Sequence, residues 1–152
     1  LKQNFYPTKP ITRGELLAVL FDSMDAFYNL KLEPSRTMNF KDIKGHKFEQ
    51  KIIAMANRGV INGYVDNTFK PNNNITRAEF VKVMNAFLGR CDTKQIKEKS
   101  NIFKDISEKD WFYYDVIEAS VIHSFKSVGD KKTWVKSLTD EEIEEAHMYF
   151  FQ

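Results

Sequence analysis

The sequence predicts an all-α fold built as a helical repeat of helix-loop-helix units, and three observations lead to this prediction. The 152 residues include only six Gly and four Pro, whereas a sandwich or barrel of short strands needs frequent turn residues. One short motif recurs along the chain at a nearly constant interval. Each copy contains Thr followed three residues later by Glu, a spacing typical of the first turn of a helix. Tandem helical units explain all three observations.

The recurring motif defines the predicted organisation of the chain. It reads ITRGE from residue 11, ITRAE from residue 75 and, in degenerate form, LTDEE from residue 138. The segment FKDI occurs at residue 40 and again at residue 103, with a matching interval. We therefore expect the second half of a first unit at residues 1–30, a complete second unit at 39–89 and a divergent third unit at 102–152, which together form one compact domain.

The complete unit has the pattern of two helices around an irregular loop. Apolar residues at helical spacing predict a first helix over about residues 47–57, and Gly59 follows it, where a glycine ends a helix by adopting a left-handed conformation. Residues 62–74 are rich in turn formers and predict a structured loop. A second helix is expected from Thr76, because the Thr76 hydroxyl and the Glu79 carboxylate cap each other's backbone N–H groups. The capping residues predicted in the three units are Thr12, Glu15, Thr76, Glu79, Thr139 and Glu142.

Charge and composition exclude several classes of protein. The 23 Lys and Arg nearly balance the 21 Asp and Glu, giving a net charge of +2, and the lysines are dispersed, so we do not expect nucleic acid as a partner. Cys91 is the single cysteine, which excludes an intrachain disulfide, and no spacing of Cys and His predicts a metal site. No apolar run is long enough to insert into a membrane, and the first residues do not resemble a signal peptide.

The sequence also lacks the motifs of catalysis and of cofactor binding. One Glu-x-x-His occurs, ending at His147, but a di-iron bundle needs two copies and two further glutamates. Residues 66–77 have the length of a calcium-binding loop, yet they carry Pro71 at the glycine position and Arg77 at the position of the bidentate acid. We therefore predict that the protein has no catalytic residues, no metal and no cofactor, and that it is not an enzyme.

Three blocks of the central unit carry a family resemblance. They read FKDIKGH from residue 40, RGVINGYVDNTFKP from residue 58 and ITRAEF from residue 75, and in this order and spacing they resemble an S-layer homology domain. The resemblance implies units that come in threes and pack as a pseudo-threefold helical bundle. It also implies the non-covalent anchoring of an exported surface protein to the bacterial cell wall, through an acidic, pyruvylated secondary polysaccharide. The expected location is extracellular, at the cell surface or wall, with the signal peptide absent from this chain and other domains expected in a larger parent chain.

The chain departs from the family pattern at several positions. Lys47 occupies a position at which the family typically has Trp, whereas the third unit has Trp111 there. In the third unit His123 stands in the place of Gly59, and Asp140 replaces the motif arginine. An acid in the first turn suits the helix macrodipole and repels an anion. We therefore expect the third unit to keep its helix and to bind an acidic glycan weakly or not at all.

Arg13 and Arg77 occupy the first helical turn directly after the cap, where the macrodipole is positive and a cation is unfavourable. In the functional interpretation, each guanidinium joins N–H groups of the helix start in binding the carboxylate of a pyruvate ketal. In the structural interpretation, the arginine forms a salt bridge to Asp42, Asp66 or an acid of a neighbouring unit. The family resemblance favours the ligand.

Aromatic side chains supply the second element of the expected site. Sugars present flat C–H faces that stack on aromatic rings, so Tyr64 and Trp111 line a groove in the functional interpretation and pack in the core in the alternative one. Asp42 bonds either the loop backbone or the ligand, and the sequence leaves both open. The predicted glycan-binding residues are Arg13, Arg77, Asp42, Gly63, Tyr64 and Trp111. The alternative function is a structural or protein-interaction module that keeps the scaffold with little or no glycan affinity.

Overall fold

The computed structural model of the chain describes residues 6–28, 39–90, 96, 103–121, 123–128, 131–139 and 141–142. Within these ranges the fold is mostly helical, as predicted, with four α-helices and a single two-stranded sheet. The chain divides into two compact units, Leu1–Thr76 and Arg77–Gln152. From here on, the first and the second unit are these two, which differ from the three predicted repeat units. The first contains α1 (Arg13–Tyr28) and α2 (Glu49–Asn57), and the second contains α3 (Arg77–Phe87), α4 (Tyr113–Ser120), β1 (His123–Val128) and β2 (Lys131–Ser137).

The core of the first unit forms where α1 packs against α2. α1 carries apolar residues at helical spacing, and the face that they form buries Leu17 and Phe21. α2 contributes Ile52 and Met55, which are fully buried, and the loop after α2 adds Phe69, which is buried to the same degree. Burial of each large apolar side chain stabilises the fold by about 1.5 to 3 kcal/mol. This loop is therefore held by the same hydrophobic core as the two helices.

α2 ends in the way that Gly59 predicts. The backbone φ of Gly59 is +72°, which confirms the left-handed conformation expected from the sequence. The Gly59 N–H donates to Ala56 O (2.9 Å), and the Val60 N–H donates to Met55 O (3.1 Å). These two bonds are the Schellman pattern, which satisfies carbonyl groups that the end of a helix leaves without partners.

Two segments related by the motif interval share their backbone conformation. Tyr6 and Lys70 each precede a proline, and they have φ values of +54° and +58°, a region that non-glycine residues rarely adopt. In both segments the carbonyl of this residue accepts the N–H three positions later, from Lys9 at 3.0 Å and from Asn73 at 3.1 Å. The helix after each segment begins at the motif arginine. The similarity is local, and the pseudo-threefold arrangement of units stays a prediction.

The second unit is built on the packing of α3 against α4. Tyr113 and Ile117 of α4 are buried with Ile96 in one hydrophobic cluster. A polar contact joins the helices as well, because the Asn85 side-chain amide donates to the backbone carbonyl of Asp115 (2.8 Å) and both residues are buried. A buried amide without a partner would cost about 1 to 3 kcal/mol, so this bond fixes how the two helices meet.

The segment after α4 contains a short hairpin that the all-α prediction did not include. β1 and β2 pair as an antiparallel hairpin with a register irregularity between Ser124 and Phe125. Aromatic and β-branched residues are frequent in this segment and favour strands. Gly129 and Asp130, which lie outside the described residues, form a dipeptide typical of two-residue hairpin loops. At the repeat interval, this segment corresponds to the loop predicted over residues 62–74. The hairpin therefore lies where the repeat predicts an irregular loop, between α4 and the capping bonds of Thr139 and Glu142.

Candidate functional site

The start of α1 and the loop that follows α2 form the candidate site in the first unit. The backbone N–H of Arg13 donates to Asn73 O (2.9 Å), and that of Gly14 donates to Pro71 O (2.9 Å). Thr12 and Asn74 form an isolated antiparallel bridge beside these bonds. The loop is therefore attached to the first turn of the helix by main-chain hydrogen bonds.

Thr12 and Glu15 cap the start of α1. The Glu15 N–H donates to Thr12 Oγ1 (3.2 Å), and the Thr12 N–H donates to Glu15 Oε2 (2.9 Å), which is the reciprocal pattern of a capping box. The hydrogen bond from the Thr12 backbone is the main reason why the pKa of the Glu15 carboxyl is lowered. The carboxylate thus remains charged where it complements the positive end of the helix.

The N–H groups of the first turn of α1 are already bonded within the chain. Arg13, Gly14 and Glu15 donate to Asn73 O, Pro71 O and Thr12 Oγ1, and the Leu16 N–H donates to Thr12 O (3.0 Å). The expectation that N–H groups at this helix start help to bind an anion is therefore wrong for α1, because these N–H groups already donate to the loop and to the capping residue.

The Arg13 side chain lies inside the first unit. It is 7% exposed, its Nε–H donates to Phe69 O (2.9 Å), and its guanidinium carbon lies 4.8 Å from the ring centres of both Tyr64 and Phe69. Each contact ties α1 to the loop. Contact between Arg13 and a ligand stays a prediction, whereas its contribution to holding the loop follows from these contacts.

A second cation lies at the same tyrosine ring. The Lys70 Nζ is 4.2 Å from the ring centre of Tyr64, and both side chains are partly exposed. Sequence reasoning did not select Lys70, because nothing in the local pattern places it near Tyr64. The fold brings the two together through the turn in which the Tyr64 N–H donates to Thr68 O (2.8 Å).

Asp42 fixes the backbone on which Lys70 stands. Its Oδ1 accepts the Phe69 N–H (2.8 Å) and its Oδ2 accepts the Lys70 N–H (2.7 Å). Of the two alternatives that the sequence left open for Asp42, these bonds correspond to the loop backbone. The bond from the Lys70 N–H also helps to hold Lys70 in its unusual left-handed conformation.

Gly63 allows the loop to pass close to neighbouring groups. A Cβ atom at this position would lie 2.2 Å from Phe40 Cε1 and 2.7 Å from Thr68 O. The Phe40 ring packs on the Phe69 ring with 5.6 Å between centres, so it has little freedom to move away. The lack of space for a side chain is a structural reason for glycine at this position, and binding of a ligand by Gly63 stays a prediction.

Arg77 and Trp111 belong to the second unit. Arg77 is the first residue of α3, directly after Thr76, and it is exposed, in contrast to the buried Arg13. Glu79 lies in the first turn of the same helix. Trp111 is 59% exposed, with its ring edge-to-face on Phe112 (5.2 Å between centres). The predicted ligand contacts of Arg77 and Trp111 stay predictions.

The third motif keeps the bonds of a capping box. The Thr139 N–H donates to Glu142 Oε2 (3.0 Å), and the Glu142 N–H donates to Thr139 Oγ1 (3.3 Å). The pKa of Glu142 is lowered, first by its bond with the Lys136 ammonium and then by the Thr139 backbone. Asp140 and the apolar positions expected to follow, Ile143, Ala146 and Phe150, lie outside the described residues.

In the first unit, the partly exposed Tyr64 ring thus contacts the buried Arg13 guanidinium and the partly exposed Lys70 ammonium, on a loop fixed to a helix start. Among the described residues, no group of three or more His, Cys, Asp and Glu side chains is placed to hold a metal ion. In the same ranges, no helix combines the length and the apolar character needed to cross a membrane.

Comparison with known proteins identifies the family. Residues 39–81 match the S-layer homology domain, so the chain carries a domain of this family and the resemblance drawn from its motifs is confirmed. The cellulosome-anchoring protein of Acetivibrio thermocellus is 32% identical over 122 residues, which cover 80% of this chain and 27% of that protein. Cell surface glycoprotein 1 of the same organism is 30% identical over 142 residues, 90% of this chain and 6% of that protein.

An enzyme is also among the relatives. Endo-1,4-beta-xylanase A of Thermoanaerobacterium saccharolyticum is 34% identical over 85 residues, which cover 55% of this chain and 7% of the enzyme. The chain therefore spans about a quarter or less of each of these three relatives. No solved structure matches the chain.

Proposed function

We propose that the chain anchors an exported surface protein to the bacterial cell wall without a covalent bond, by binding an acidic, pyruvylated wall polysaccharide. The S-layer homology domain and the relatives described as anchoring and surface proteins support the anchoring part of this proposal. The proposal that the ligand is acidic rests on Tyr64, Arg13 and Lys70, because the cationic groups of Arg13 and Lys70 both contact the partly exposed Tyr64 ring.

The chemistry of this surface fits a charged sugar. The apolar C–H face of a pyranose packs on an aromatic ring, while polar groups around the ring bind hydroxyl groups and carboxylates. Tyr64 supplies the ring in the first unit, and the exposed Trp111 supplies a second ring in the other unit. The chain itself acts as a binding module outside the cell, and any catalysis belongs to other domains of a parent chain, as the similarity to a xylanase over only 7% of that enzyme suggests.

One observation favours the alternative of a structural or protein-interaction module. Arg13 is buried and bonded to Phe69 O, so one of the two motif arginines serves the packing of the loop. If both arginines were used in this way, the scaffold would persist without glycan affinity.

A pull-down with purified wall polysaccharide separates the two functions. The wild-type chain is incubated with the intact polysaccharide and with the same material after acid removal of its pyruvyl groups. The proposal expects retention on the intact polymer and loss of most of the binding on the treated polymer. Failure to bind either polymer would favour the interaction module, and equal binding to both would exclude the carboxylate as the recognised group.

A further inference from the structure

The two cations at Tyr64 differ in what their charged groups can still bind. The Arg13 guanidinium lies between two aromatic rings, its Nε–H is bonded to Phe69 O, and the residue is 7% exposed. Lys70 carries its charge at the end of a flexible stem and is partly exposed. Arg13 is therefore placed to hold the loop, whereas Lys70 is placed to meet a ligand.

Lys70 also lacks a strong partner for its charge. Among the described residues, no carboxylate lies within 4.0 Å of its ammonium. The Lys70 charge has a small effect on Asp66, since the pKa of the Asp66 carboxyl is lowered mainly by hydrogen bonds from the Thr68 hydroxyl and backbone and to a smaller extent by Lys70. The contact of Lys70 with the Tyr64 ring is weaker than a charge-assisted hydrogen bond, so a carboxylate that enters the site can draw the ammonium to itself.

The backbone conformation of Lys70 is held by hydrogen bonds to Asp42. A left-handed φ of +58° is costly for a non-glycine residue, and such conformations persist where surrounding bonds enforce them. Here Asp42 accepts the N–H groups of both Phe69 and Lys70. The direction in which the Lys70 side chain leaves the backbone is thereby fixed, which lowers the cost of ordering it on a ligand.

We propose that Lys70 is the residue that contacts the ligand carboxylate at this surface, with Arg13 acting as a positioning residue that holds Tyr64 and Phe69. This inference rests on the proposed function, because it assumes that an acidic sugar is the ligand. Lys70 lies outside the recurring Ile-Thr-Arg motif, so the residue that selects an acidic over a neutral sugar is not part of that motif. We expect Tyr64 to stack on the sugar ring whose carboxylate Lys70 binds.

The test compares two probes and four forms of the full chain. The probes are a monosaccharide with a pyruvate ketal and its methyl ester, which removes the charge and adds one methyl group. The forms are the wild type, Lys70→Gln, Lys70→Arg and Lys44→Gln, which removes an exposed lysine of the same unit as a matched control. Affinities are measured by titration calorimetry, and far-ultraviolet circular dichroism verifies that each variant is folded.

The wild type and Lys44→Gln should prefer the acid to the ester by about tenfold or more, as expected when one charge-assisted hydrogen bond is lost. Lys70→Gln should bind the two probes equally, at the affinity of the wild type for the ester, and Lys70→Arg should retain most of the preference. A Lys70→Gln chain that still prefers the acid would overturn the assignment to Lys70 and leave the proposed function standing. A wild type that binds neither the acid probe nor the wall polysaccharide would overturn both.

Discussion

The two motif arginines differ in burial, so removing each of them should affect stability differently. Arg13→Met keeps an apolar stem of similar length between Tyr64 and Phe69, and it removes the charge and the hydrogen bond to Phe69 O. A hydrogen bond from a charged donor contributes about 1.5 to 3 kcal/mol, and the ring contacts contribute about 0.5 to 1 kcal/mol more. The expected destabilisation is therefore about 2 to 4 kcal/mol.

Arg77→Met is the matched control, because Arg77 occupies the same position of the motif and is exposed. Removing a cation from the start of a helix relieves an unfavourable interaction with the macrodipole, and surface substitutions of this kind change stability by less than about 0.5 kcal/mol. Urea and thermal unfolding followed by circular dichroism measure both variants. Arg13→Met should lower Tm by about 4 to 16 °C, whereas Arg77→Met should leave it nearly unchanged. Equal effects of the two substitutions would refute the assignment of Arg13 to the packing of the loop.

Four further predictions follow from the capping, glycine and third-unit positions. Gly59→Val should cost about 1 to 2 kcal/mol in urea unfolding, because φ is +72° and the space around a Cβ is open, so only backbone strain is added; an unchanged midpoint would contradict this. Gly63→Ala should destabilise the chain more than Gly59→Ala does, because its Cβ meets Phe40 at 2.2 Å, and the same urea series compares the two. The pKa of Glu15 is lowered by the bond from Thr12, so its contribution to stability is present above the ordinary value of 4.5 and is lost as the pH falls below 4.5 towards the folded pKa. Glu15→Gln should flatten this part of the curve of stability against pH, and an unaltered slope would argue against the cap. Titration with the pyruvylated polysaccharide should give fewer binding sites than the three predicted repeat units, because Asp140 replaces the arginine in the third motif and an acid repels a carboxylate; equal affinity beside Asp140 and beside Arg77 would contradict this repulsion.

Features that depend on neighbours in the sequence were predicted well. The motif placed helix starts after Thr12 and Thr76, and α1 and α3 begin at the next residue in each case. Gly59 has the predicted left-handed conformation. Capping and helix termination depend on residues within about five positions of one another, and a single sequence contains that information directly.

Features that depend on distant contacts were not predictable in the same way. Arg13 contacts Phe69, and Lys70 owes its conformation to Asp42, and in both pairs the partners are far apart in the sequence. Burial of a charged side chain and its pairing with a carbonyl follow only once the loop has folded onto the helix. The sequence pattern of Arg13 and Arg77 is nearly the same, yet one is buried and the other exposed, so the motif alone does not distinguish their roles.

The hairpin of the second unit was missed for a different reason. By analogy with residues 62–74, the repeat predicts an irregular loop in the segment after α4. The strand signal was present in Phe125, Val128, Trp134 and Val135 and in the intervening glycine and aspartate. Where a repeat unit has diverged this far, local propensity is a better guide than the analogy with its neighbours.

The most direct test of acidic-glycan binding at the Tyr64 surface is an NMR titration of the isotope-labelled chain with the pyruvylated monosaccharide. We expect saturable shifts concentrated at Tyr64 and Lys70, including the Lys70 ammonium, and their loss when the carboxylate is methylated. Shifts confined to residues away from this loop, or shifts at Tyr64 and Lys70 that are the same for the acid and its ester, would contradict the claim that this surface recognises the charged group of the glycan.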